Sequence, residues 1–206
     1  MRIDGALSAR RVHASGSVSG HGSLEADLLE TSGSLSIVGD LRVGDLKTSG
    51  SVRVSGDIEV RGCSKTSGSF TIGGRLTGNA AEGSGSLRIG SEAALDQLLW
   101  SGAVQCPGLV SADAVEFHIA GESRMGELAG TSITVRPGFG WRLGRQPRLF
   151  VGEVSGDDIR LENTVAKLVR GDRVAIGPRC QIERLEYREQ LNVSPESTVK
   201  DTVRVQ

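Results

Sequence analysis

The sequence predicts an all-β fold, a single parallel β-helix with about 17 residues and three short strands in each turn of the tube. The first observation is a Ser-Gly-Ser triplet that recurs through the first half of the chain. The second is that apolar residues alternate with polar ones between the triplets, the pattern of strands with one buried face. The third is the spacing of 17, 17, 18, 17 and 17 residues between the six copies, which lie at 15–17, 32–34, 49–51, 67–69, 84–86 and, with alanine last, 101–103.

Each turn of the tube, called a rung below, is predicted to supply pairs of inward aliphatic side chains, such as Val52/Val54 in the third copy. Stacked rungs satisfy their backbone groups by pairing with the rung above and below, about 4.8 Å away. The breaks between the pairs often carry glycine, and we expect corners with positive φ there. These corner glycines are Gly39, Gly56, Gly74 and Gly108.

The same frame covers the whole chain and predicts one domain, residues 1–206, of about twelve rungs. Rungs are regular over 1–117 and less regular over 118–206, where 137–150 breaks the pattern. Parallel crossover connections favour a right-handed coil. Later rungs are marked by the pairs Ile133/Val135, Ile159/Leu161, Val174/Ile176 and Leu191/Val193.

Outward positions read down the stack should not place like charges over one another. Glu25, Arg42 and Glu59 occupy one such column, and Glu30 with Lys47 belongs to another. This alternation of sign supports the 17-residue register.

Composition excludes several classes of function. The 24 basic and 25 acidic residues are interspersed and leave a net charge of −1, so we expect no nucleic-acid partner. Neither a membrane-spanning helix nor a secretory signal can be read. Cys63 and Cys106 fall on inward positions and Cys180 lies in an apolar strand, which predicts buried thiols rather than a disulfide framework or a metal site. A reducing, cytoplasmic setting follows as an expectation.

No catalytic, cofactor-binding or metal-binding residues are predicted. His13, His21 and His118 read as outward-facing, and the first and last of these are about six rungs apart, roughly 29 Å. The only acidic doublet, Asp157-Asp158, follows Ser155-Gly156 and is interpreted as a solvated turn rather than an acid/base pair. A β-helix enzyme, either a hexapeptide-type acyltransferase or a carbohydrate-active enzyme, would need a cleft that collects polar groups from several rungs. A surface adhesin, the other alternative, would need an export signal.

The irregular stretch concentrates aromatic residues and arginines without an acid, and two interpretations stay open. It could be a loop whose aromatic residues cover the side of the tube. It could also be a contact patch for a partner or for an anionic membrane surface, where aromatic residues and arginine are enriched. The residues of this patch are Phe139, Trp141, Arg142, Arg145, Arg148 and Phe150.

Gly-Asp corners follow two of the tandem Ser-Gly-Ser triplets (38–41 and 55–58), and a C-terminal run at 161–182 is followed by Glu186-Tyr187. In these features the chain resembles the bactofilins, a family of bacterial polymer-forming cytoskeletal proteins. The resemblance covers nearly the whole length and implies a right-handed β-helix that joins end to end into filaments without nucleotide. Many members reach the membrane through a short N-terminal tail, whereas here Met1 already falls in the frame of a rung.

The physics of a stacked tube also favours self-assembly, because an uncapped terminal rung presents a strand edge that recruits another strand. We therefore expect a non-enzymatic scaffold that joins end to end, as a homopolymer or an end-to-end dimer, with residues 191–206 as the second end or a partial cap. Other cell-envelope or cytoskeletal proteins are the further partners expected. The setting expected is cytoplasmic, with membrane association as its alternative. The predicted polymer interface consists of Met1, Ile3, Leu7, Val199 and Val203.

Overall fold

The structure, a computed structural model, describes residues 2–138 and 146–205, with side chains from residue 5 onward. Strands make up 82% of the chain and form one parallel sheet, which winds as a β-solenoid of about 11 turns with about 17 residues per turn. The predicted fold class is confirmed. The turn count is one below the expected twelve, and one rung is longer than the rest, since Glu122 pairs with Arg148, 26 residues later.

Most strands wrap around a whole rung and bend at the corners. Each pairs in parallel with the strand of the next rung, so that Leu41 lies beside Ile58 and Ile58 beside Leu76. The described strands are β1 (Arg2–Asp4), β2 (Leu7–Ala14), β3 (Ser17–His21), β4 (Leu24–Thr31), β5 (Ser34–Val38), β6 (Leu41–Val54), β7 (Ile58–Ile72), β8 (Leu76–Ile89), β9 (Ala93–Ile119), β10 (Glu122–Pro137), β11 (Arg148–Leu161), β12 (Thr164–Ile176), β13 (Gln181–Val193) and β14 (Thr198–Arg204).

The core runs along the axis of the tube, and three inward pairs per rung fill it. In β6 these pairs are Leu41/Val43, Leu46/Thr48 and Val52/Val54, all buried. The later markers stack in register as predicted, with Ile133 beside Ile159, Ile159 beside Val174 and Val174 beside Leu191. Burial of these apolar columns supplies the main driving force for stacking.

The corners differ from the prediction. Gly39 has a positive φ of 143°, but Gly56, Gly74 and Gly108 are not among the glycines with positive φ. The left-handed conformation lies instead at the centre of later triplets, such as Gly68 (φ 117°). A Cβ on Gly68 would meet the carbonyl oxygen of Gly50 in the neighbouring rung. The triplet therefore needs glycine because successive backbones approach each other closely there.

Side-chain hydrogen bonds help to hold the Gly-Asp corners. Asp40 Oδ1 accepts a hydrogen bond from the Asp57 N–H at 3.0 Å, and Asp57 Oδ1 accepts one from the Arg75 N–H at 2.7 Å. Each carboxylate thus satisfies a backbone donor of the next rung at a point where the strand ladder is interrupted. This role explains why two carboxylates, those of Asp40 and Asp57, lie on neighbouring rungs.

The prediction that Cys63 faces inward is wrong. Leu46 pairs with Ser64, while Cys63 lies beside Ala80 and is only half buried. The 18-residue repeat has one extra residue, and the structure places the irregularity between Val60 and Cys63. The shift carries Ser64 into the apolar column, where its Oγ is buried without a hydrogen-bond partner. Cys106 and Cys180 are buried thiols, as predicted.

Candidate functional site: the ends and one wall of the tube

The C-terminal end of the tube is an open strand edge in the described part of the chain. β14 pairs with β13, from Gln181 beside Thr198 to Tyr187 beside Arg204, and no described strand pairs with its other edge. Residues 190–193 of β13 likewise pair only with β12. The backbone donors and acceptors of this edge point along the axis, where a further strand can add.

Apolar side chains of the last rung reach solvent at this end. Ile182 and Leu185 are buried, but Leu191 and Val199 above this layer are only partly buried. Val193 and Val205 are 36% and 38% exposed. Among the described residues, none covers this apolar layer, and residues 191–193 and 198–204 continue the tube as strands.

The two C-terminal residues of the predicted interface take different positions. Val199 lies beside Ile182 in an inward column, whereas Val203 lies beside Glu186 in an outward column. Both belong to the terminal rung, so each could touch a second copy, one through the core layer and the other through the wall.

Side-chain bonds hold the terminal rung in place. The Ser197 hydroxyl donates to the Gly177 carbonyl at 2.6 Å and accepts the Cys180 N–H at 2.8 Å. Arg184 pairs with Asp201 at 3.2 Å. An edge that is already ordered costs less conformational entropy when a partner strand adds to it.

The N-terminal end is built in the same way. β1 pairs with β3, and β2 pairs with β4 through Leu7 beside Leu24, with no described strand on the outer edge of either. Leu7 is half buried against the core. Ile3 occupies a strand position beside Gly20, and Met1 lies outside the described residues.

The aromatic and basic patch is described only in part. Phe139, Trp141, Arg142 and Arg145 lie outside the described residues. Arg148 and Phe150 belong to β11, so this portion of the patch is a strand and not a loop. The Arg124 guanidinium lies 5.2 Å from the centroid of the Phe150 ring.

The acidic doublet is part of a strand, so its interpretation as a turn is wrong. Asp157 and Asp158 lie within β11. Arg173 of the next rung donates two hydrogen bonds to the Asp158 carboxylate, from Nε to Oδ1 and from Nη2 to Oδ2, each 2.6 Å long. The hydrogen bond from Arg173 lowers the pKa of Asp158. A general acid needs a raised pKa, so the pair with Arg173 stabilises the stack but is unsuited to acid catalysis.

The histidines do not converge in the structure. His13 and His21 are exposed, and His118 bonds with Glu116 at 2.8 Å on a half-buried part of the wall. Arg136 joins this pair, since its Nη2 donates to the same Glu116 oxygen and its Nε lies 2.8 Å from His118 Nε2. Within residues 2–138 and 146–205, no group of three or more His, Cys, Asp or Glu side chains could hold a metal ion.

A row of arginines emerges that the composition does not reveal. Register places Arg53 beside Thr71, Thr71 beside Arg88, Arg88 beside Gln105 and Gln105 beside Arg124, all in one outward column. The signal was present in the sequence, since Arg53 and Arg88 both stand two residues after the last serine of a triplet. The column continues with Phe150 and Val165.

Comparison with known proteins gives two relatives, both from Bacillus subtilis (strain 168). The chain is similar to the uncharacterized protein YhbE, with 40% identity over 103 residues that cover 48% of this chain and 44% of that protein. It is also similar to the uncharacterized protein YhbF, with 31% identity over 99 residues that cover 48% of this chain and 42% of that protein. The match thus spans less than half the length of each relative. No family model and no solved structure matches the chain.

No helix that could cross a membrane occurs among the residues that the structure describes.

Proposed function

We propose that this protein is a non-enzymatic scaffold that assembles end to end through its terminal rungs into polymers that need no nucleotide, as the resemblance to bactofilins implies. The observation that carries the proposal is the C-terminal edge, where no other described strand pairs with the outer side of β14 and no described residue covers the apolar layer around Val193, Val199 and Val205. Joining a second tube there would pair the edge and bury the apolar layer in one step.

The walls of the tube support the same proposal because their charges are largely satisfied within the chain. Arg170 lies 3.6 Å from Glu153 on one side and 2.8 Å from Glu186 on the other. Arg173 pairs with Asp158 and with Glu189 in the same manner. Such walls discourage lateral aggregation, so growth along the axis is favoured.

In this proposal the chain acts in the cytoplasm, and its side walls stay free for other cell-envelope or cytoskeletal proteins. The proposal assigns it no catalytic residue, no cofactor and no nucleic-acid partner. Polymer formation would then be the activity on which any further role depends.

The test is analytical ultracentrifugation and electron microscopy of the purified chain over a range of protein and salt concentrations. We expect species much larger than the 21.6 kDa chain. Val193→Lys with Val205→Lys should shift them to monomers, because the charges enter the end contact while both side chains are exposed enough to leave the fold intact. Val199→Lys with Val203→Lys should act alike, and Leu7→Lys tests the other end.

A matched control comes from the side walls. Val38 and Leu99 are 52% and 40% exposed, so Val38→Lys with Leu99→Lys adds the same charge at similar exposure away from the ends. This variant should assemble like the wild type. A wild type that stays monomeric under every condition, or a control variant that dissociates as fully as the end variants, would contradict end-to-end assembly.

A further inference from the structure

One wall of the tube carries two arginines, Arg53 and Arg88, that have no acidic partner among the described residues. The outward column from Ser36 through Arg53, Thr71, Arg88, Gln105, Arg124, Phe150 and Val165 to Gln181 contains three arginines and no acid. The arginines stand on alternate rungs, about 9.6 Å apart. We call Arg53, Arg88 and Arg124, with Phe150 and Val165, the arginine row.

The arginine row departs from the charge pattern of the wall that carries Arg42. That arginine stands between Glu25 and Glu59 of the neighbouring rungs. In the row, the neighbours of Arg53 and Arg88 are uncharged. Cross-strand pairing therefore does not neutralise these two guanidinium groups within their own column.

The contacts of each arginine confirm this difference. The Arg53 side chain makes no hydrogen bond or ion pair with any described residue. Arg88 Nε donates to the neutral Gln105 Oε1 at 3.2 Å, which orients the guanidinium but leaves its charge. Arg124 alone of the three has an acidic partner, Glu122, which lies 2.6 Å away on the same outward face of β10.

The row also has an apolar end. Phe150 and Val165 follow Arg124 in the same column and are only half buried. Arg124 lies over the Phe150 ring, so cation and aromatic ring form one continuous surface. Arginine beside a partly exposed aromatic ring is the composition of proteins that lie on a lipid surface.

We propose that the arginine row lies flat against an anionic lipid bilayer, with the guanidinium groups on lipid phosphates and Phe150 at the level of the headgroups. The charge of Arg53 and Arg88, which is complementary to that of the bilayer, and the half-buried Phe150 beside Arg124 carry the assignment. A bilayer also accepts cations at any spacing, whereas a nucleic acid would favour a denser stripe. The row lies on the side of the tube and stays accessible when the ends are joined, so the inference goes beyond the proposed function.

Three cations per copy bind weakly, and binding strengthens when several copies share one surface. The dependence on ionic strength should be steep, because the charges are exposed and screened by salt. Binding is therefore measured at low salt first and then at increasing salt.

The test is flotation of the full chain with vesicles, which separates bound protein from polymer that sediments by itself. Vesicles of phosphatidylcholine alone are compared with vesicles that also contain phosphatidylglycerol. We expect the chain to float only with the anionic vesicles. Arg53→Gln, Arg88→Gln and Arg124→Gln together should lower the partition coefficient roughly a hundredfold.

The control is Arg42→Gln with Arg61→Gln and Lys65→Gln, which removes the same charge from other walls. This variant should float like the wild type. The inference is overturned if the wild type ignores anionic vesicles, if the row variant floats as well as the control, or if single-stranded DNA binds with the same arginine dependence while vesicles do not. Assembly is measured separately by ultracentrifugation. A chain that is monomeric but floats with anionic vesicles would contradict only the proposed function.

Discussion

Replacing Gly68 with alanine should weaken the stack more than any exposed substitution of similar size. Gly68 has a φ of 117°, and its added Cβ would meet the carbonyl oxygen of Gly50 in the neighbouring rung. This contact is with backbone, so no side-chain rotation can relieve it. Either the two rungs separate locally or the backbone around residue 68 loses its hydrogen bonds to the neighbouring rung.

The magnitude follows from three contributions. The left-handed conformation costs a non-glycine residue about 1–2 kcal/mol. Inserting a methyl group into a packed site costs about 1–3 kcal/mol. Against these stands a gain of about 0.4–1 kcal/mol from the stiffer unfolded chain. We expect Gly68→Ala to lower the free energy of unfolding by about 1–5 kcal/mol in total.

Two glycines of the same tube are matched controls. A Cβ on Gly121 would touch only Ala103 Cβ at 3.7 Å, and a Cβ on Gly16 would touch nothing within 4 Å. Neither has a left-handed φ. Alanine at these two positions should leave stability unchanged or raise it by up to about 1 kcal/mol. Urea unfolding followed by circular dichroism measures all three variants, and an equal midpoint for Gly68→Ala and Gly121→Ala would refute the reasoning.

Three further predictions concern single side chains of the stack. Ser64→Ala should raise the free energy of unfolding by about 1 kcal/mol, since it removes a buried hydroxyl that has no partner, whereas the exposed Ser67→Ala should be neutral in the same urea titration. Asp57→Ala should lower stability by about 1–2 kcal/mol, while Asp57→Asn should lose less because its amide oxygen can still accept the Arg75 N–H; equal losses would show that the hydrogen bond does not matter. Hydrogen bonds from Arg173 to Asp158, and from Arg170 and Arg184 to Glu186, lower the pKa of both acids in the folded state. These bonds therefore stabilise the fold fully above the pKa values of the unfolded chain, and the stabilisation disappears as the pH falls through the lower pKa values of the folded state. The melting temperature of the wild type should therefore drop below about pH 4, and Asp158→Asn with Glu186→Gln should flatten that drop; an unchanged profile would contradict the assignment.

Features that repeat every rung are predictable from sequence. The alternation of apolar residues fixes which side chains face inward, and the column of Glu25, Arg42 and Glu59 is found in the register that the spacing predicts. Local periodicity suffices for these because each rung repeats the same environment.

Features that depend on a single extra residue are not predictable in this way. The added residue of the 18-residue repeat can be accommodated at several points between two triplets, and alternation alone cannot decide whether Cys63 or Ser64 faces inward. The conformation of Gly56 and Gly74 likewise depends on how closely the neighbouring rung approaches, which a one-dimensional pattern does not contain. The register of the long rung is unpredictable for the same reason, because the spacing of 26 residues between the paired Glu122 and Arg148 departs from the 17-residue repeat.

Some residues of the candidate sites are predictable from the sequence, and others are visible only in the structure. Spacing identifies the terminal rungs, and so Leu7 and Val199, but the exposure of Val193 and Val205 depends on how the last rung ends. The arginine row becomes visible only when register places Arg53, Arg88 and Arg124 in one column, because these residues are 35 and 36 positions apart along the chain.

Cryo-electron microscopy of the assembled chain tests the central claim most directly, namely that rungs stack continuously and that tubes join at their ends. The account predicts filaments one tube wide, with a strong axial spacing of about 4.8 Å from the rungs and a longer repeat of about 50–55 Å for each chain of 11 turns. Assemblies that grow side by side, or filaments in which the 4.8 Å spacing runs across the axis instead of along it, would contradict the account.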